Sequence, residues 1–445
     1  MKRPLIYYAL AVYMACFSLT LLQFNIMFGI LMAIIFFLVM FFTQAIKEFI
    51  LVLAFFIIGC FSFNVYFNVN LGNEAKFRLI EKSRGSYIGD YKGRKVILYG
   101  DFNNIKYGEE IVAVGNFNNA KDYFKGIIGE YEIIDYTKEK PDFLERVYEF
   151  KERLYYKYSK ILGEKNAGIV MASCYGDTKY LNLQVKNNIN KLGISHIISV
   201  SGFHIAVVYK LLEKILGVKL GLLGSFIYMI FTGGKAATIR AYVMILILKL
   251  SKVFYKNYNS ISSLSLAALM ILIIKPYYIL DIGFTLSFLA TLGIILYNKG
   301  IQRSLYILPK KLNESLSITL SAQVFAMPYA MCTLNSVSMF FIPGNLILVP
   351  LYSLVVLLGT LGIIFSEFDT IFRIITSLLY STMTSIEGGT YLLLKLAPPV
   401  VEYNYFYGVA MLIIFMSYVF VKHGYDELRY FPIAIMCFIV MYNMI

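Results

Sequence analysis

The sequence predicts a polytopic α-helical membrane protein with about 11–13 transmembrane helices, some of them broken, and an inserted small all-β domain of the oligonucleotide-binding (OB) type. Three observations predict it. Of 445 residues, 59% are hydrophobic and 15% charged, more apolar surface than a soluble fold can cover. Apolar runs close to the ~20 residues that cross a bilayer recur along most of the chain. After the third run, a charged, glycine-punctuated stretch interrupts them.

Residues 1–67 hold three apolar runs, near 5–22, 24–43 and 49–67. The first continues without a small-residue cleavage site, so it reads as a membrane helix and not as a removed signal. Residues 68–140 contain "KVILYG", "EIVAVGNF" and "GEYEIIDY". Period-two alternation broken by Gly, Asn and Asp predicts short strands, enough for a small closed barrel. Residues 141–166, "PDFLERVYEFKERLYYKYSKILGEKN", space their apolar and aromatic residues as an amphipathic helix returning the chain to the membrane surface.

Residues 167–445 form a second membrane region, with spans expected near 195–216, 218–234, 236–254, 260–280, 283–298, 314–335, 345–366, 371–396, 402–421 and 429–445. Pro343, Gly344 and Pro350 predict a broken helix whose freed backbone groups face protein or a wet cavity.

Charge orients these spans. "MKR" places the N-terminus in the cytoplasm, and three spans then export the barrel. Lys249, Lys252 and Lys256, and the loop with Lys299, Arg303, Lys310 and Lys311, fall inside. The expected location is the cell membrane. The net charge of +14 is partly this positive-inside signature and partly capacity for a polyanion, in a proportion composition does not set. The five cysteines show no metal-like spacing, so no metal or other cofactor is expected, and no phosphate loop occurs.

Polar groups at membrane depth mark a path or a site by default. The cluster "HIISVSGFHIAVV" carries His196, Ser199, Ser201, Gly202 and His204. Arg240 and Lys235 in "GGKAATIRAYVM", Asp281, Gln323 and Asn345 belong with it. On a continuous helix Ser201 and His204 would share a face, while Gly202 is a place for that helix to break. Three readings compete: hydrogen bonding between helices, a polar path for an anion, and an intramembrane hydrolase using Ser201 and His204. No acidic partner or nucleophile elbow supports the last.

With these segments in order, the chain resembles the ComEC family of DNA-uptake membrane channels. "YGDTKYLNLQVKNNINKLGISHIISVSGFHIAVV", "TIRAYVM", "GFTLSFLATLGI" and "AQVFAMPYAMCTLNSVSMFFIPGNLILVPL" are similar to four ordered family blocks. The matching positions are Gly176, Asp177, His196, Ser199, Ser201, Gly202, His204, Arg240, Phe288, Gln323, Asn345 and Pro350. The resemblance implies a channel, not an enzyme, passing single-stranded DNA inward during transformation, with these residues on the path or its gate. It implies an outer DNA receptor or pilus, and without a phosphate loop in this chain inward movement needs a cytoplasmic ATP-driven helicase-like motor or a gradient. Many relatives add a metallo-β-lactamase-like domain; no H-x-H-x-D-H motif occurs here, so either a separate nuclease is a partner or that step is absent. In the barrel, Lys76, Arg78, Lys82, Arg84, Tyr87, Tyr91, Lys92, Arg94 and Lys95 combine charge and stacking, as single-strand binders do. The lipid bilayer is the other partner, and a homo-oligomer is compatible with the sequence. A transporter of another anionic polymer or metabolite, and an inactive shortened relative, are the remaining alternatives.

Overall fold

The computed structural model describes residues 3–83, 86–100, 105–334, 336–338, 340–397, 401–402, 405–422, 432–433 and 435. Arg84, His423, Cys437 and nearly all of the run expected at 429–445 lie outside them. The chain divides into two compact units, residues 1–167 with 202–284, and residues 168–201 with 285–445.

The first unit opens with α1 (Pro4–Phe24), α2 (Ile26–Thr43) and α3 (Ile46–Phe67), all apolar and long enough to span a membrane. Small residues let α1 and α3 approach: a methyl group added at Gly59 would stand 2.7 Å from Ala15 Cβ. Ala11, Phe36, Met40 and Val52 bury a core between the three helices. Asn25 starts α2, its side chain accepting from the Met27 and Phe28 amides at 3.0 and 3.4 Å.

Five strands follow: β1 (Glu74–Ser83), β2 (Ser86–Tyr91), β3 (Arg94–Tyr99), β4 (Glu110–Asn118) and β5 (Ile127–Lys138). They close a barrel in the order β1-β2-β3-β5-β4, with β3 and β5 parallel and every other pair antiparallel. Alternation sends Phe77, Leu79, Val96, Leu98, Ile111 and Tyr131 inward. Gly115 permits one close crossing, since a Cβ there would lie 2.0 Å from the Glu132 carbonyl oxygen. Helix α4 (Phe143–Leu162) packs beside the barrel and is amphipathic, as its spacing predicts.

Later in this unit come α8 (Gly202–Phe231), α9 (Ala236–Val253) and α10 (Ser260–Ile274). Gly217, at φ +81°, breaks α8 between the two runs expected there. The halves fold back on each other: a methyl at Gly221 would sit 3.0 Å from the Glu213 amide nitrogen.

The second unit contains α6 (Leu183–Lys191) and α7 (Ser195–Ile198), then α12 (Lys310–Leu334), α13 (Phe341–Ile364), α14 (Asp369–Leu396) and α15 (Tyr405–Lys422). Helices α5 (Glu164–Tyr175) and α11 (Ile282–Ser304) run from the first unit into it. A two-stranded ribbon joins β6 (Ser336–Val337) to β7 (Val401–Glu402). The break expected around Pro343–Pro350 is absent, and α13 is continuous through Pro350. Pro343 falls in its first turn, where amides lack intrahelical acceptors anyway, and one interior proline is tolerated in a membrane helix. Six described helices are long and apolar enough to cross a membrane: α1, α2, α3, α8, α11 and α13.

Candidate functional site

The polar cluster is split by the backbone. Helix α7 ends at Ile198, Ser199 is extended at φ −80°, ψ 125°, and α8 begins at Gly202. Ser201 therefore precedes α8, while His204 lies in its first turn and is 1% exposed. The chain breaks before Gly202, so no continuous helix carries both groups.

Gly202 sits against α9. A methyl there would be 2.8 Å from Arg240 Nη2 and 3.0 Å from Ala241 Cβ, so the missing side chain is what admits the guanidinium. The "SGFH" and "TIRAYVM" blocks thus meet in the first unit. In the second, the "LGISH" block meets "IPGN". A methyl at Gly344 would lie 2.7 Å from the Leu192 carbonyl oxygen, and Ser338 Oγ donates to the Lys191 carbonyl at 2.5 Å. Asn345 is buried beside this contact, its Oδ1 without a hydrogen bond among the described residues. His196 and Ser199 are exposed.

Other candidates have local structural work. Gly176, at φ +73°, ends α5, and Asp177 accepts from the Lys179 amide at 3.2 Å and pairs with its ammonium at 3.4 Å. Asp281 accepts from the Phe284 amide at 2.6 Å, the N-terminal cap of α11. Gln323 and Phe288 are half-buried on α12 and α11, and Pro350 is exposed.

A polar set that the sequence reading passed over lies on the α8–α9 seam. Lys249 Nζ meets Glu213 Oε1 at 2.5 Å and stands 5.1 Å from the centre of the Tyr209 ring. Lys249 reads in the sequence as a cytoplasmic-edge charge. The available signal is Tyr209 and Glu213 four apart on one apolar helix.

In the barrel, four of the nine expected DNA contacts bond within the protein: Arg94, Arg78, Lys95 and Lys76. Arg94 Nε and Nη2 donate to the Tyr66 and Val65 carbonyls at 3.1 and 3.0 Å, a cation closing the C-terminus of α3. Arg78 grips Asp142, the cap of α4, through two bonds of 2.8 and 2.6 Å, and the Arg78 guanidinium holds that carboxyl down at about 2. Lys95 donates to the Lys125 carbonyl at 3.3 Å and lies 5.1 Å above Tyr277, in the turn that ends α10. Lys76 pairs with Glu139. Lys82 and Lys92 are exposed, each 5.3 Å above a ring, Tyr87 and Tyr91 respectively. The β4–β5 loop is also occupied: Tyr123 packs 4.8 Å from Phe67, and Phe124 packs 5.4 Å from Phe24. Among the described residues, no group of three or more His, Cys, Asp or Glu could hold a metal ion.

The barrel therefore sits at the end of the first unit where α1, α3 and α10 finish. Arg3 and Lys47 lie at the opposite ends of α1 and α3, Lys214 and Lys219 flank the break in α8, and Lys252 and Lys256 lie at the end of α9 and in the turn before α10.

Comparison with known proteins places these contacts in a family. The chain is 24% identical to the ComE operon protein 3 of Bacillus subtilis over 239 residues, 52% of this chain and 30% of that protein. It is 27% identical to an uncharacterized protein of Aquifex aeolicus over 254 residues, 54% of this chain and 59% of that one. The matches thus span less than two thirds of either relative. No solved structure matches. The model of the family described as "Competence protein" matches residues 173–424, which include the Gly202–Arg240 contact and the Gly344–Leu192 contact. With more than half of its length matched, this multi-pass membrane chain belongs to the ComEC-type competence protein family.

Proposed function

We propose that the chain is a membrane channel that passes one DNA strand into the cytoplasm during transformation, with its N-terminus inside and the barrel outside. The observation that carries this reading is Arg240. A guanidinium stays charged and forks onto phosphate oxygens. It is half-buried one turn into α9, on a glycine whose missing side chain makes its room. A cation at membrane depth is costly unless it serves a pathway. The orientation rests on charge: lysines and Arg3 gather at the end away from the barrel, the pattern of cytoplasmic ends.

The barrel is docked as a rigid vestibule, and its remaining strand contacts are Lys82 on Tyr87 and Lys92 on Tyr91. An outer receptor or pilus delivers the DNA, a separate nuclease removes the second strand, and a cytoplasmic helicase-like motor draws in the first.

The test is DNase-protected uptake of labelled duplex DNA by cells with and without the gene, and with Arg240→Ala or His204→Ala. Loss of internalised single strand with surface binding intact is the expected result. Unchanged uptake on deletion would sink the proposal.

A further inference from the structure

Helix α14 has three faces. It follows α13 after a short turn and runs back along it: a methyl at Gly389 would lie 3.1 Å from Leu348 Cδ2. At ~1.5 Å per residue, that side-by-side contact extends ~27 Å from the turn, nearly the ~30 Å hydrocarbon thickness. So α14 lies at membrane depth beside a spanning helix. Its 28 residues are long enough to span, yet it is not among the six apolar helices.

One face explains the difference. Phe372, Leu379, Met383 and Ile386 are buried. Ile374, Leu378 and Leu392 form an exposed apolar face suited to lipid. The third face is an exposed stripe of Ser377, Ser381, Thr384, Gly388 and Tyr391, with Arg373 and Lys395 at its ends. Successive members are three or four residues apart, so they stack along one side of the helix. From Arg373 to Lys395 the stripe covers ~33 Å, the hydrocarbon thickness of a bilayer.

Two of its hydroxyls bond within their own helix and not across to a described neighbour. Ser377 donates to the Arg373 carbonyl at 2.9 Å and Thr384 to the Tyr380 carbonyl at 3.0 Å, within their own helix. Their oxygens keep lone pairs for water. Lipid does not satisfy them, and the adjoining apolar face is the one suited to lipid. A second copy fits poorly, because two chains related by an axis along the membrane normal would set Arg373 against Arg373 and Lys395 against Lys395. The acids Asp369 and Glu387 fall to one side of the stripe.

We propose that this stripe is the wall of the aqueous path, touched by the hydrated anionic strand. The inference rests on the channel reading and names its lining. A cation at each mouth with neutral hydroxyls between them admits a polyanion without holding it.

The test uses the full chain in cells, with single cysteines at Ser377, Ser381 and Thr384 (stripe) and at Ile374 and Leu378 (lipid face). A charged, membrane-impermeant thiol reagent is applied, and the unsubstituted chain gives the background. Stripe cysteines should react about tenfold faster than those of the lipid face, since the thiolate forms only where water reaches it. Modified Ser381→Cys cells should lose DNase-protected uptake. Equal, slow labelling of both faces would overturn the inference, as would oxidant-induced cross-linking of stripe cysteines between copies. So would full labelling without loss of uptake. If cells with the unsubstituted chain internalise no DNA, the channel reading fails instead, and the labelling still decides whether the face is wet.

Discussion

Helices α2 and α14 each pack on one face and leave the rest open, but the residues they expose differ in chemistry. On α2 the exposed residues include Met27, Phe28, Ile34, Leu38 and Phe42, with no charge along its 18 residues. On α14 an apolar strip lies beside a strip of hydroxyls ended by Arg373 and Lys395. In a membrane protein exposure alone says little; what the exposed atoms can bond with tells lipid from water.

The sharpest way to break the comparison is to place a charge on each helix. Leu38→Lys on α2 puts an ammonium into hydrocarbon, at a cost of ~2.5–3.5 kcal/mol, and should deplete full-length chain from the membrane fraction. Ser381→Lys on α14 should leave that amount nearly unchanged. Equal depletion would mean both faces meet lipid. A smaller effect is expected on the α8–α9 seam. Lys249→Met removes the partner of the partly exposed Glu213 carboxylate and should lower the midpoint of detergent unfolding slightly, with Glu213→Gln restoring part of it. Gly202→Ala should cost about 1 kcal/mol, because it meets the flexible end of Arg240 at 2.8 Å and makes Ala241 Cβ, at 3.0 Å, give by a few tenths of an ångström. Its expected signature is weakened uptake at near-normal thermal stability.

The smallest effect concerns the barrel. Asp142, held at about 2 chiefly by its bonds to Arg78, has a folded value below the ordinary ~3.9. Its contribution is therefore complete above about pH 4 and fades as pH falls towards 2. Because its side chain is 35% exposed, Asp142→Asn should cost under ~1 kcal/mol at pH 7. Limited proteolysis near residue 140 should show the wild type approaching the variant as pH drops from 4 to 2.

Much of this architecture is legible in the sequence because its causes are local. Apolar runs mark α1, α2 and α3, strict alternation marks the strands, and Gly217 marks the break in α8. What stayed hidden depends on distant partners. Nothing near Arg94 announces that the carbonyls of Val65 and Tyr66 will claim it, so it reads as a free basic residue. The polar cluster reads as one site, yet it divides at Ser199, where two halves join different partners. The α14 stripe was missed because an average over the helix mixes its three faces, and a period of 3.6 restores it. Pro350 misled in the other direction, since a neighbouring helix can stabilise a proline-containing span.

The most direct test of the account is to catch the strand in passage. A photo-reactive amino acid is placed at Thr384 on the stripe, or at Leu378 on the lipid face, in cells taking up end-labelled duplex DNA. Illumination during uptake should join labelled single strand to the Thr384-substituted chain and leave the Leu378-substituted chain free. Capture at neither position, while labelled strand still accumulates inside the cells, would contradict it.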